Sequence, residues 1–236
     1  MTFHCLCSEM KCATVLRNRP YTKRQKIMNN EADLETRRTQ IIAASLSHVP
    51  FDGWTMKALK RGATDCGLDE ASALLAFPVS ATDAIEHHSQ LADKNMVRDA
   101  GDLSSLPVRK RVGKAIKCRL EQNTGHREAI RRACSMLALP ANAPMAARCL
   151  FRTVDTIWYI AGDRSTDWNF YSKRALLAGI YSATLIYWLD DESTDTTETW
   201  GFLDRRIDNV MQIPKIKQRI RSLIEKLPRS PRILRP

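Results

Sequence analysis

The chain has 236 residues, of which 44% are hydrophobic, and a formal net charge of +11. This length suits one large helical domain or a small module joined to a larger one, with enough apolar material for a core. The excess of Lys and Arg favours a polyanionic partner, either nucleic acid or an anionic membrane surface. The longest apolar run, residues 175–189, is shorter than the ~20 residues that span a bilayer, so no transmembrane helix is predicted.

The N-terminus, residues 1–30, is interpreted as a disordered or mis-assigned tail. Cys5, Cys7 and Cys12 crowd there, but the seven Cys of the chain contain no repeated CxxC pair, so no zinc ribbon is predicted. A chain of this length does not need disulfides, and we expect reduced thiols in an intracellular protein. Whether residues 1–27 are a targeting segment or an untranslated leader stays open.

Three short helices are predicted next. Apolar residues recur at helical spacing over residues 34–48 and 55–64, and a third helix ends before Pro78. Asp69 is a suitable N-cap for that third helix. Residues 31–78 are therefore expected to form a helix-turn-helix-like part.

Residues 79–212 are predicted to form a larger bundle of successive helices. The predicted helices lie near residues 80–98, 107–122, 125–138, 142–161 and 166–189, with a final helix from about Thr196. Asp195 and Glu198 form an acidic capping box for the final helix. No strand is predicted, so the fold class is all-α, in an arrangement like that of TetR-type transcription regulators.

Fold and charge together raise the question of DNA binding. A recognition helix needs Arg, Lys, Asn or Gln toward the bases and cations near the phosphates. The candidate helix begins with Asp69 and Glu70, and no Lys or Arg occurs between Arg61 and Lys94. We therefore expect no nucleic-acid partner. A TetR-like DNA-binding regulator with a small-ligand cavity is the alternative.

Two groups of cations stand out in the sequence. Those within residues 109–119 are on the polar side of a predicted helix and are interpreted as a solvated face. Those after residue 213 lie opposite an apolar stripe, which is typical either of a helix in a membrane interface or of a terminal helix packed on the body. The candidate membrane-binding residues are Ile213, Ile216, Ile220, Leu223, Ile224, Lys217 and Arg221.

No catalytic motif is found. Asp190, Asp191 and Asp195 are similar to the Asp-rich motif with which prenyl-diphosphate enzymes hold Mg²⁺, but Thr194 stands where the third Asp is needed. A helix end and a solvated loop explain these carboxylates. The adjacent histidines at 87–88 lack the spacing of metal ligands on one helix face. We expect no enzymatic activity, no metal and no cofactor.

The most specific signal lies in residues 155–174. They read Asp-Thr-Ile-Trp-Tyr-Ile-Ala-Gly-Asp-Arg-Ser-Thr-Asp-Trp-Asn-Phe-Tyr-Ser-Lys-Arg, with five aromatic residues and many charges around a turn at Gly162. Aromatic residues and Arg are typical anchors of protein interfaces. The segment resembles the Coq-nine family of ubiquinone-biosynthesis accessory proteins, whose fold is TetR-like. The likeness extends over roughly residues 34–212.

This resemblance implies a non-catalytic function. Proteins of the family bind isoprenoid lipid in the C-terminal bundle, associate with the membrane through an amphipathic helix, and present the quinone precursor to a di-iron hydroxylase. The expected partners are therefore an isoprenoid lipid or quinone precursor, the hydroxylase and an anionic membrane surface, and we also expect a homodimer. The expected location is the bacterial cytoplasm at the inner membrane, or the matrix side of the mitochondrial membrane in a eukaryote.

Two sets of site residues follow. The resemblance places the hydroxylase-facing patch at Asp155, Ile157, Asp167, Phe170 and Tyr171, and helical phase adds Arg174. Phe170 departs from the family, which has Trp there, and loses the indole N–H. Separately, helical phase predicts an apolar stripe with small residues, which suits either a chain-like ligand or a tight helix crossing. The stripe comprises Leu176, Gly179, Ile180, Ala183 and Tyr187.

Overall fold

The computed structural model describes residues 23–163 and 168–209, and these residues are mainly helical. The helices are α1 (Lys23–Ser45), α2 (Val49–Asp52), α3 (Met56–Asp65), α4 (Glu70–Ala76), α5 (Thr82–Ala100), α6 (Val108–Glu121), α7 (Arg127–Leu137), α8 (Ala143–Ile160), α9 (Trp168–Asp190) and α10, helical over residues 197–209. Within these ranges there is no strand, and no helix is long and apolar enough to cross a bilayer. The all-α prediction is confirmed.

The N-terminal boundary differs from the prediction. α1 spans Lys23–Ser45, whereas the predicted first helix covered residues 34–48. Residues 1–22, with their crowded Cys, lie outside the described residues. α2 was not predicted, and Pro50 lies in its first turn, where the missing backbone N–H has no intrahelical partner to lose.

Helices α1, α3 and α4 form the helix-turn-helix-like part. The carboxylate of Asp69 accepts a hydrogen bond from the backbone N–H of Ser72 at 3.0 Å, which confirms its predicted role as N-cap of α4. α1 and α3 cross closely at Gly62, where an added Cβ would lie 2.7 Å from the carbonyl oxygen of Ile41. Only glycine fits this crossing without displacing the backbone.

A buried tryptophan joins this part to the larger bundle. The indole Nε1 of Trp54 donates to the carbonyl oxygen of Ala129 in α7 at 2.9 Å. The apolar cluster around Trp54 continues into Ala133 of α7 and Ile85 of α5. The N-terminal helices therefore share a core with the start of the bundle.

The bundle of α5–α10 contains a second apolar cluster and a buried ion pair. The apolar cluster includes Met96, Ile116 and Trp188. Arg119 was predicted to lie on a solvated face of α6, but it is buried, and its Nε donates to Asp93 of α5 at 2.9 Å. The prediction was wrong because the polar side of a helix faces solvent only where no neighbouring helix covers it, and α5 carries a matching carboxylate.

The α9–α10 connection is organised by Asp191. Its two carboxylate oxygens accept from the backbone N–H groups of Ser193 at 2.8 Å and Thr199 at 2.9 Å, which caps the first turn of α10. Burial raises the pKa of Asp191, but these hydrogen bonds outweigh it and hold that pKa well below its usual range. Asp195, the predicted cap, has a φ of 53° and does not cap α10.

Candidate functional site

The turn between α8 and α9 is surrounded by an ion-pair network. Nε of Arg174 donates to Oδ1 of Asp155 at 2.8 Å, and Nζ of Lys173 lies 2.9 Å from Oδ1 of Asp163. Arg174 and Asp163 are mostly buried, whereas Asp155 and Lys173 reach solvent. The charges predicted for a docking surface therefore also hold α8 against α9.

Gly162 is required at this turn for two reasons. Its φ of 81° is in the left-handed region, and an added Cβ would lie 2.9 Å from Nη1 of Arg111. Arg111 also differs from the predicted solvated face, since its guanidinium donates to three backbone carbonyls, including that of Ala161 at 3.1 Å. α6 thereby fixes the end of α8.

The six residues predicted for the partner surface do not all lie on one exposed face. Tyr171 is 67% exposed, and Asp155 is half-exposed, so both are accessible to a partner. Ile157 is fully buried in the bundle core, which corrects its assignment to a contact surface. Asp167 and the side chain of Phe170 lie outside the described residues. Arg174 is buried, and its guanidinium pairs with the carboxylate of Asp155.

One exposed aromatic residue was not singled out from the sequence. Tyr159, on α8 one turn after Asp155, is 76% exposed. Tyrosine is among the residues enriched in protein interfaces, and the signal available in the sequence was the position of Tyr159 in the aromatic segment. We use the name α8–α9 patch for Tyr159, Tyr171 and Asp155.

An apolar cavity of about 420 Å³ lies beside this patch, within the range of small-molecule sites. Its apolar wall includes Val112 of α6, Leu177 of α9 and Ile207 of α10, while Asp163 and Lys173 of the ion-pair network contribute charge. Trp158, which follows the buried Ile157 in α8, also lines it. The cavity and the network therefore share residues.

The residues of the predicted lipid stripe do not all line the same cavity. Leu176 and Ile180 line the 420 Å³ cavity, but Gly179 is exposed and a Cβ there would contact nothing. Ala183 and Tyr187 line a separate shallow groove, where the Tyr187 ring stacks on Phe202 with centroids 4.6 Å apart. Helical phase correctly grouped these residues along α9, but each of its faces meets a different neighbour.

Two further predictions can be compared with the structure only in part. All seven candidate membrane-binding residues, Ile213, Ile216, Lys217, Ile220, Arg221, Leu223 and Ile224, lie outside the described residues. In the described portion of the chain, no three His, Cys, Asp or Glu side chains are grouped as metal ligands.

Comparison with known proteins shows that the chain is similar to proteins of the COQ9 family. The COQ9 family model matches residues 143–214. The ubiquinone biosynthesis protein COQ9, mitochondrial, of Rattus norvegicus is 33% identical over 198 residues, which are 80% of this chain and 63% of the rat protein. COQ9-B of Xenopus laevis is 30% identical over 197 residues, covering 80% of this chain and 67% of the frog protein. The chain thus spans less than two thirds of the rat relative.

The fold has a relative among solved structures. A TetR transcriptional regulator from Nitrosomonas europaea superposes with a TM-score of 0.59 at 20% identity, covering 72% of this chain and 95% of the regulator. This match confirms the TetR-like arrangement of helices. At this identity it concerns the fold alone.

Proposed function

The chain belongs to the COQ9 family, and from this premise we propose that it is a non-catalytic, lipid-binding accessory protein of ubiquinone biosynthesis. In this proposal the 420 Å³ cavity holds the isoprenoid part of a quinone precursor. The observation that carries the proposal is the position of this apolar cavity beside the exposed α8–α9 patch, with Asp163 and Lys173 common to the cavity and the ion-pair network. A ligand bound there is next to the surface offered to a partner.

The patch itself is proposed to contact a membrane-associated hydroxylase. Exposed tyrosines supply large contact area with few rotatable bonds, and Asp155 adds a charge that its pairing with Arg174 holds in place. The C-terminal residues 213–236 are proposed to bind an anionic membrane surface, by the amphipathic pattern of their sequence. Homodimer formation stays a prediction. We place the protein at the inner membrane, on the matrix side in a mitochondrion or the cytoplasmic side in a bacterium.

Lipid binding can be tested with a charge placed in the cavity wall. Leu176, which is 40% exposed, lines the cavity, so Leu176→Asp is expected to fold but to place a carboxylate against the isoprenoid chain. Mass spectrometry of lipid extracted from the purified protein should find an isoprenoid with the original chain and at least about tenfold less with the variant.

The matched control is Ile186→Asp, on the same helix but outside this cavity. It is expected to retain the isoprenoid. Absence of any isoprenoid from the original chain, or equal loss in both variants, contradicts lipid binding in this cavity.

Partner binding can be tested at Tyr171. Because its ring is exposed, Tyr171→Lys is expected to leave the circular dichroism and melting of the protein unchanged while weakening association with the hydroxylase by about tenfold or more. Co-purification or calorimetric titration measures the association. The control is Phe51→Lys, because Phe51 is also highly exposed but lies in α2, distant in sequence from Tyr171. This variant should bind the hydroxylase like the original protein. Equal affinities for all three proteins would remove Tyr171 from the interface.

DNA binding is the second candidate, and one observation weighs against it. α4, the element that would enter the major groove, exposes Leu74, Leu75 and Glu70, and Glu70 pairs with Lys60. These side chains offer no donors to base edges or phosphates. Tight binding to duplex DNA at physiological salt, without an isoprenoid ligand, would favour the regulator.

A further inference from the structure

A second cavity lies deeper in the bundle. It has a volume of about 170 Å³ and is lined mainly by residues of α5–α9, most of them apolar, such as Ile85, Leu150 and Leu185. It shares no lining residue with the 420 Å³ cavity. The two cavities therefore differ in size and in walls, and an isoprenoid chain in the larger one leaves the smaller one without an assigned ligand.

Two buried side chains that line this second cavity each carry a nitrogen atom without a hydrogen-bond partner among the described residues. Trp188 is fully buried and His88 is 9% exposed, and both line the cavity. Among the described residues, Nε1 of Trp188 and Nε2 of His88 meet no donor or acceptor. Buried polar groups are almost always paired, because leaving one unpaired forfeits its hydrogen bond to water. A polar occupant of this cavity, either a ligand or ordered water, would supply the partners that these two groups lack.

The wall offers hydrogen bonds but no free charge. Its only guanidinium, that of Arg119, is paired with the buried carboxylate of Asp93. Burial raises the pKa of the Cys134 and Cys149 thiols, which keeps both neutral at physiological pH. An ion entering this cavity would lose its hydration without gaining an unpaired counter-charge. A neutral ligand with hydrogen-bonding oxygen suits these walls better.

We propose that this second cavity binds a neutral, single-ring molecule bearing hydroxyl or carbonyl oxygen, of the phenol or quinone class and without an isoprenoid tail. The size agrees, since an apolar cavity of about 150 Å³ accommodates benzene. The Trp188 indole N–H donates to an oxygen of the ring, and the His88 imidazole donates or accepts according to its tautomer. This site is independent of the proposed lipid site.

The test compares two probes of nearly the same size on the full chain. p-Cresol has the hydroxyl that the proposal requires, and toluene lacks it. Calorimetric titration is expected to show p-cresol binding at least about tenfold tighter than toluene, the effect of one or two additional hydrogen bonds in a buried site. Binding of neither probe at millimolar concentration, as for a cavity filled by water, or equal binding of both, would overturn the proposal.

Variants assign the binding to this cavity. Trp188→Phe keeps an aromatic ring but removes the N–H, and should weaken p-cresol about tenfold with little effect on toluene. Trp200→Phe, whose indole instead donates to the carbonyl of Asp195, is the matched control and should bind both probes like the original chain. If Trp188→Phe does not fold, His88→Phe replaces it with the same expectation. If a folded Trp188 or His88 variant binds p-cresol as tightly as the original chain, the proposed site is wrong. The proposal for the 420 Å³ cavity is tested separately, by the lipid retained in the Leu176 variant.

Discussion

Replacing Asp93 by Asn is expected to lower the free energy of unfolding by about 3–5 kcal/mol, the usual cost of leaving one partner of a buried ion pair without the other. Both side chains of the Asp93–Arg119 pair are less than a tenth exposed. The Asp93 carboxylate also accepts from Thr153 at 2.8 Å and from Nε of Arg152 at 3.1 Å, so it links α5 to α6 and α8. Asn keeps the shape but removes the charge that balances Arg119.

Urea denaturation followed by circular dichroism at pH 7 measures this loss. The matched control is Arg148→Gln, which breaks the more exposed pair with Glu86 (Nη2 to Oε2, 3.2 Å) and should cost less than about 1 kcal/mol. A double variant with Asp93→Leu and Arg119→Met should recover part of the loss, because neither member of the pair then remains as an unpaired charge. Recovery is incomplete because Thr153 and Arg152 lose the acceptor that Asp93 provides. A loss below 1 kcal/mol for Asp93→Asn would mean that solvent reaches Arg119.

Acid is expected to destabilise the protein through His88. Burial, followed by the positive charge of Arg119, lowers the pKa of His88 to about 4 from its ordinary value of 6.5. Between these two values the unfolded chain binds a proton that the folded protein excludes, so stability falls as the pH falls from 6.5 to 4. The two pKa values correspond to a loss of about 3 kcal/mol over this window.

The contribution of His88 is measured by comparing how the free energy of unfolding depends on pH in two proteins, the original chain and His88→Phe. Other groups also titrate in this range, so unfolding by urea is measured from pH 7 to pH 4 for the original chain and for His88→Phe. The variant should lack about 3 kcal/mol of the acid-dependent loss, whereas the control His126→Gln should keep it. Parallel profiles for His88→Phe and the original chain would show that His88 is hydrated in the folded protein.

Local sequence signals predicted local structure well. The Asp69 cap, the end of the third helix before Pro78 and the succession of helices through residues 82–190 follow from side chains acting within one or two turns. The predicted first helix was shorter than α1 because the first turns of α1 have little apolar periodicity. The cap of α10 was misassigned because Asp191 caps Thr199 from eight residues away. A cap at that distance has no spacing rule in the sequence.

The candidate site was predicted as a segment but not as an arrangement. The sequence marked residues 155–174 as an interface through their unusual mixture of aromatic and charged residues. It did not reveal that Ile157 faces the core, that Arg174 is buried and paired with Asp155, or that Trp158 lines a cavity with Ile207. These facts depend on which side of α8 packs against α6 and α9. Helical periodicity shows which residues share a face, but it does not predict which helix that face contacts.

By itself, the sequence determined the all-α class, the TetR-like order of helices, the family and the segment that identifies it. Those properties depend on hydrophobic periodicity, capping residues and motifs, all of which are short-range. Only the tertiary structure decided that Arg119 is buried against Asp93, that the α9 stripe is divided among three surroundings, and that His88 and Trp188 border a cavity. The physical reason is that burial and pairing are set by contacts between side chains far apart in the sequence, such as those where α5 packs against α8.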